Sequence, residues 1–210
     1  MWPWWASRSG ITFVAKTEAN VTGVSIVCNV PPGVLNGDIL ILAWGGNNTS
    51  GAVVASHASW TSEQTQGSGV SATGTGFLSR VASGEPASYT FTIGPGISNV
   101  GVCMLAFRRS TGVDVKAGAD NGNTNSLPAP SVTTTKGNTI LICAYAMNGQ
   151  SGVWTAPASM VERSRYEGGG GFAGFLCCTE EIVAIGATGT RTATNTVTSN
   201  SCSVSLAIKP

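Results

Sequence analysis

Ile39-Leu40-Ile41-Leu42-Ala43-Trp44 decides the fold, because Ile140-Leu141-Ile142-Cys143-Ala144-Tyr145 repeats it 101 residues later. Turn-forming residues lead into each run, Gly37-Asp38 into the first and Gly137-Asn138-Thr139 into the second. At the same spacing, Met104-Leu105-Ala106-Phe107-Arg108 matches Ser205-Leu206-Ala207-Ile208-Lys209. Trp60 matches Met160, and each is followed by a glutamate, Glu63 and Glu162, read as equivalents. A strand group present twice buries its apolar faces by packing one copy on the other. The expected fold class is all-β: a two-sheet antiparallel β-sandwich, jelly-roll-like, built from two pseudo-repeated halves.

Working outward from these runs, strand signals dominate. Short stretches of Val, Ile, Thr and aromatic residues are separated by Gly, Pro, Asn and Ser. Tyr89-Thr90-Phe91-Thr92-Ile93 alternates, so one face is buried and one is wet. The run 39–43 is continuously apolar, as in a strand covered on both faces. The 28 glycines and the many β-branched residues disfavour helix. Pro31-Pro32-Gly33 and Leu127-Pro128-Ala129-Pro130 read as stiff connections leading into each repeat. Segments 45–51 and 117–126 read as long loops, and 168–171 as a third flexible point. The expected organisation is an N-terminal aromatic arm over residues 1–10 and one sandwich domain over 11–210, with pseudo-repeats at about 25–110 and 126–210.

Charge is scarce. The chain has 11 basic and 10 acidic residues among 210, a net charge of +1. Charged residues make up 10% of the total, against about 25% in ordinary globular domains. A surface so neutral is rich in Ser, Thr, Asn and Gly, or is covered by partners. Nucleic-acid binding is not expected without a basic field. No apolar run approaches the ~20 residues of a membrane helix. No signal-peptide pattern opens the chain. The six cysteines lie inside apolar strand runs, and Cys143 takes the repeat position of Leu42, so they read as reduced, buried packing residues.

Chemistry is hard to find. The single histidine, His57, lies in a Ser/Ala stretch without a nucleophile motif. Glu180 and Glu181 are neighbours and would face opposite sides of a strand. Asp120-Asn121-Gly122-Asn123 is oxygen-rich, but Gly122 falls where a calcium ligand should sit. No cysteine spacing suits zinc. An enzyme is not expected, nor is any cofactor or metal. Trp44, Trp60, Trp154 and Tyr166 are candidate sugar-stacking aromatics, although Trp44 continues a core run.

Residues 31–44, Pro-Pro-Gly-Val-Leu-Asn-Gly-Asp-Ile-Leu-Ile-Leu-Ala-Trp, and 78–92, ending Gly84-Glu85-Pro86-Ala87-Ser88-Tyr89-Thr90-Phe91-Thr92, resemble a β-sandwich module of tailed-bacteriophage structural proteins. The strand Val102-Cys103-Met104-Leu105-Ala106-Phe107-Arg108-Arg109 completes the resemblance, with Arg109 where the module usually has glycine. The resemblance covers most of the chain. Its motifs mark a fold and no active site. It implies a virion structural protein made in the host bacterial cytoplasm, most simply a capsid decoration (cement) protein. The alternative is a tail or fibre component with a receptor- or carbohydrate-binding role. The expected partners are further copies of the chain, a trimer being favoured, and the major capsid protein or other virion proteins, with no nucleic acid and no membrane. Trp2, Trp4 and Trp5 are the interface candidates, and Asn47, Asn48, Asp120, Asn121 and Asn123 the loop candidates for partner contact.

Overall fold

The alternation of β-branched or aromatic residues with small polar ones is realised as strands throughout the described residues. The computed structural model describes residues 10–48, 55–69, 73–94, 98–149, 152–168 and 173–210. In the first half the strands are β1 (Thr12–Gly23), β2 (Ser25–Asn29), β3 (Ile39–Asn48), β4 (Ala55–Ser56), β5 (Thr61–Gly67), β6 (Thr73–Val81), β7 (Ser88–Ile93) and β8 (Ser98–Arg108). In the second they are β9 (Gly112–Ala129), β10 (Thr133–Thr134), β11 (Thr139–Met147), β12 (Trp154–Thr155), β13 (Val161–Tyr166), β14 (Gly174–Ile182), β15 (Gly186–Ala187) and β16 (Arg191–Lys209). The fold is all-β and sandwich-like, with antiparallel pairing throughout and no helix among the described residues.

The two facing sheets expected from the repeat are a five-stranded sheet, ordered β1-β8-β3-β6-β5, and a larger one, ordered β12-β16-β11-β14-β13, with β9 also on β16. Their inner faces meet in a core of Ile39, Ile41, Phe77, Leu105 and Phe107 against Ile142, Phe175, Val204, Leu206 and Ile208. Each large sheet has a second covered face. In the first half, β2-β7-β4 forms a separate small sheet over Leu40, Leu42 and Trp44. In the second half, the far ends of β9 and β16 bend over with β12 and cover Leu141, Cys143 and Tyr145. The molecule is therefore two small sandwiches packed through their large sheets, which explains why strands 39–44 and 140–145 are apolar on both faces.

The ladder registers carry the correspondence between halves further back than residues 25 and 126. Phe13 pairs with Phe107 and Val113 with Ile208, and both strands then bulge by one residue, at Val14 and Asp114. Strand β9 corresponds to β1 and β2 run together, and β16 to β7 and β8. A second shared bulge lies on β5, at Glu63, and on β13, at Arg163. That bulge corrects one expectation: Glu63 is the structural equivalent of Arg163, and Glu162 that of Ser62. The nearest glutamates in sequence are not equivalent because each ladder carries one unpaired residue at this point.

Residues 45–48 and 117–126, expected in loops, are strand, and 49–51 lie outside the described residues. Residues 117–126 belong to β9, because Ala117, Gly118, Ala119 and Asp120 pair in sequence with Ser205, Val204, Ser203 and Cys202. Small side chains there suit close packing: a Cβ on Gly118 would lie 2.9 Å from the Gln64 and Gln66 side chains of the other half. Strand β3 likewise runs through Gly45 and Gly46 to Asn48. A Cβ on Gly45 would lie 2.6 Å from the Phe175 ring, so glycine there admits an aromatic residue from the facing sheet.

Candidate functional site

The stretches that carry the resemblance build two internal clamps. Asp38 is buried at the start of β3, and Arg108 at the end of β8 grips it at both oxygens, at 2.9 and 2.8 Å. The backbone N–H of Leu35 donates to the same carboxylate, and Arg108 also donates to the carbonyl of Gly33. Burial opposes ionisation of Asp38, but the Arg108 guanidinium and the Leu35 N–H outweigh it and hold its pKa below the ordinary value. The second clamp joins Arg80 on β6, Glu85 in the following turn and Tyr89 on β7. Arg80 Nε donates to Glu85 at 2.9 Å, Tyr89 Oη donates to Glu85 at 2.5 Å, and the N–H of Ser83 donates at 2.8 Å. Burial raises the Glu85 pKa, but these three donors outweigh it, so the net shift is downward. Burial and the neighbouring Glu85 push the Tyr89 phenol up to about 12. His57 and Trp60 stack edge-on against Tyr89 and Phe91, closing the cluster. These charged groups are spent on one another and on backbone. Arg109, where the resembled module has glycine, takes φ 64, the backbone conformation glycine adopts without strain.

The sequence-predicted contact residues fall near one end of the molecule. Asn47 and Asn148 hold equivalent positions in the two halves, and Asn47 Nδ2 donates to Asn148 Oδ1 at 2.8 Å across the interface between the large sheets. Asn47 pairs with Asn99 in its own sheet. The N–H of Asn148 donates to the carbonyl of Asn200 at 2.9 Å, and Asn200 pairs with Asn123. Five asparagines thus form a row across both sheets, with Asn123 exposed at its edge and the others half-buried. A carboxamide both donates and accepts, so the row can meet another protein's backbone or a hydroxyl-rich ligand without carrying charge. The backbone of Asn48 continues β3 beside Ser98.

Two further candidates serve the scaffold. Asp120 accepts from the N–H of Gly69, across the interface between halves, at 2.7 Å and from the N–H of Gly122 at 2.9 Å. These backbone donors hold its pKa below the ordinary carboxylate value. Asn121 accepts from Ser203 and donates to the carbonyl of Pro128. Sequence reading missed Asn148 and Asn200, although each lies 101 residues after an asparagine, Asn47 and Asn99, so the repeat itself marks them. Trp2, Trp4 and Trp5 lie outside the described residues.

Of the four sugar-stacking candidates, Trp44, Trp60 and Trp154 are buried at 0%, 7% and 1% exposure, and Tyr166 is half-buried. All six cysteines are buried and free. Burial pushes the thiols of Cys28 and Cys143 up to about 11, away from the reactive range. Among the described residues, no group of His, Cys, Asp or Glu is arranged to hold a metal ion, and no helix is long and apolar enough to cross a membrane. No known protein family matches the chain, and neither a curated protein nor a solved structure matches it.

Proposed function

We propose that this chain is a structural protein of a bacteriophage particle, a capsid decoration (cement) protein that binds the head and stabilises it. The observation that carries the reading is the use made of the residues behind the resemblance. Asp38, Arg108, Arg80, Glu85 and Tyr89 are committed to clamping strand ends together, as expected of a module whose motifs specify a scaffold. A doubled sandwich with covered sheet faces and little surface charge suits a part that adds contact area to a lattice. Such a protein stabilises its capsid by binding the assembled state in preference to the dissociated one. The asparagine row is the face we assign to the partner, with further copies of the chain, a trimer in the simplest arrangement, around a symmetry axis.

Light scattering of the purified protein, with and without empty capsids, tests this. Uptake in a fixed ratio to capsid subunits supports decoration, and Asn148→Asp should weaken that uptake by placing a charge in the middle of the amide row. A stable oligomer that ignores capsids overturns the head assignment. The reading then passes to the alternative, a tail or fibre component whose amide row meets a host glycan.

A further inference from the structure

We propose that a cavity between β1 and β13 is a binding site for one neutral sugar ring. This inference does not rest on the particle reading. The cavity has a volume of about 140 Å³ and lies between the edges of the two large sheets. Glu18 and Asn20 of β1 line it from one sheet and Ser164 and Tyr166 of β13 from the other, with Gly101 and Phe175 between them. Tyr166 is the one sugar-stacking candidate that is not buried.

The contrast between the halves shows which residues leave this cavity open. Ladder register makes β5 and β9 the equivalent edge. Gln64 there takes the place of Ser164, Gln66 that of Tyr166, Gly118 that of Glu18 and Asp120 that of Asn20. The Gln64 and Gln66 side chains close over Gly118, each 2.9 Å from where its Cβ would lie, and Asp120 is latched to the N–H of Gly69. In the open edge Ser164 is too short to fill the same space, and Glu18 turns to Lys16 at 2.8 Å. Gly101, whose counterpart is Cys202, adds room: a Cβ there would lie 3.3 Å from the Phe175 ring.

The chemistry of the lining selects the ligand. The exposed Asn20 carboxamide and the hydroxyl of Ser164, a residue only 6% exposed, have no hydrogen-bond partner among the described residues. They are left to a molecule entering the cavity. A carboxamide and a hydroxyl each donate and accept, as sugar hydroxyls do. The charges at the mouth are already met, Glu18 by Lys16 and Arg165 by Glu162 and Glu167, so a neutral ligand displaces no ion pair. A cavity of roughly 150 Å³ admits one six-membered ring, which limits the occupant to a single sugar unit.

Saturation-transfer NMR of the full chain tests the assignment, with the methyl glycosides of glucose, galactose, mannose and N-acetylglucosamine as probes, each at up to about 20 mM because so small a ligand binds weakly. The expected result is transfer to at least one of them. Asn20→Ala, and Ser164→Gln, which installs the residue of the closed edge, should each weaken binding of that glycoside about tenfold. Asn20→Ala should leave the melting temperature unchanged, so its effect on binding stands even if Ser164→Gln disturbs the fold. Asn148→Asp, in the amide row, should leave sugar binding unchanged, and its effect on capsid uptake is read separately, so failure of this inference and failure of the particle reading are distinguishable. Absence of transfer to every glycoside overturns the proposal. So does binding that survives Asn20→Ala, since the sugar would then sit elsewhere. Preference for glucosamine over glucose at pH 6 overturns the neutral assignment, since the site would then be selecting an ammonium group.

Discussion

The two halves of the molecule share a ladder register and fill it with different residues. Where the first half has Trp44 beside Gly76, the second has Tyr145 beside Leu176. Phe91 and Ala55 of the first half correspond to Ala193 and Trp154 of the second. The interface between halves trades volume in the same way. Phe175 reaches toward Gly45 and Gly101, while its equivalent is the smaller Thr75, and the larger Ala146 and Cys202 take the positions of those two glycines in the second half. Backbone geometry is thus the repeated quantity, and each core is a separate solution to packing at native density. A residue from one half should therefore fail at the equivalent place in the other.

Phe91→Ala is the largest test of that claim. It installs the second half's residue in the first half, where no Trp154 fills the space. The loss should be about 4 kcal/mol, read by chemical denaturation, because Phe91 is fully buried and packs on Trp60 at 5.2 Å. Adding Ala55→Trp should recover part of the loss. No recovery would show that the halves differ in backbone as well as in filling.

The Asp38 clamp is the next contrast. The second half has Asn138 and Lys209 near the equivalent positions and no such ion pair among its described residues. Asp38→Asn should cost about 2 kcal/mol at neutral pH, the order expected for a buried carboxylate that accepts charged and backbone donors. The folded-state pKa of Asp38 lies below the ordinary 3.8, so the ionised form stabilises the fold. That contribution is complete above the unfolded pKa and disappears as pH falls through the folded one. The variant should therefore lose less stability than the parent on acidification below about pH 4. An unchanged acid profile would mean that the clamp contributes nothing to the fold.

Legibility in the sequence followed the same division. The repeat of 39–44 at 140–145 was readable because a strand buried on both faces must be apolar at every position. The all-β class followed from it. The second half's covering layer was not readable, because β9 and β16 each pass from one layer to the other within a single continuous strand. The stretch 117–126 misled for a related reason: its Gly and Asn residues suit a loop, but here they pack under Gln64 and Gln66 or join a polar ladder. Of the contact candidates, Asn47 and Asn123 lie in the amide row, while Asp120 and Asn121 bond to backbone within the fold. Nothing in the spacing of a carboxylate shows that its partner is a backbone N–H some 50 residues away.

Asp120 gives a smaller test of the same contrast. The first half has Asn20 at this register position, opposite Gly101, and no equivalent latch among its described residues. Asp120→Ala removes the acceptor for two backbone donors at a partly solvated edge. It should cost about 1 kcal/mol. The amide of Gly69 should exchange with solvent faster than in the parent, while amides in the cores of β3 and β11 keep their protection. Uniform loss of protection would show that the latch supports the whole interface between halves.

The smallest expected effect lies at a pair of pseudo-equivalent lysines. Lys16 on β1 donates to the carbonyl of Arg163, and Lys116 on β9 donates to the carboxylate of Glu63, so each lysine reaches the bulge of the opposite half. Only the second contact is an ion pair, and the Lys116 side chain is 39% exposed, so solvent screens most of the attraction. Lys116→Met should cost no more than about 0.5 kcal/mol in low salt, and the difference from the parent should vanish near molar salt. Lys16 also holds an exposed ion pair with Glu18 at 2.8 Å, so Lys16→Met is read on a Glu18→Gln background, where it loses only a bond to a neutral carbonyl and its effect should depend much less on salt. If both variants respond to salt alike, the difference between the bulge residues Glu63 and Arg163 does not set the electrostatics of the two edges, and the contrast between the halves is confined to their cores.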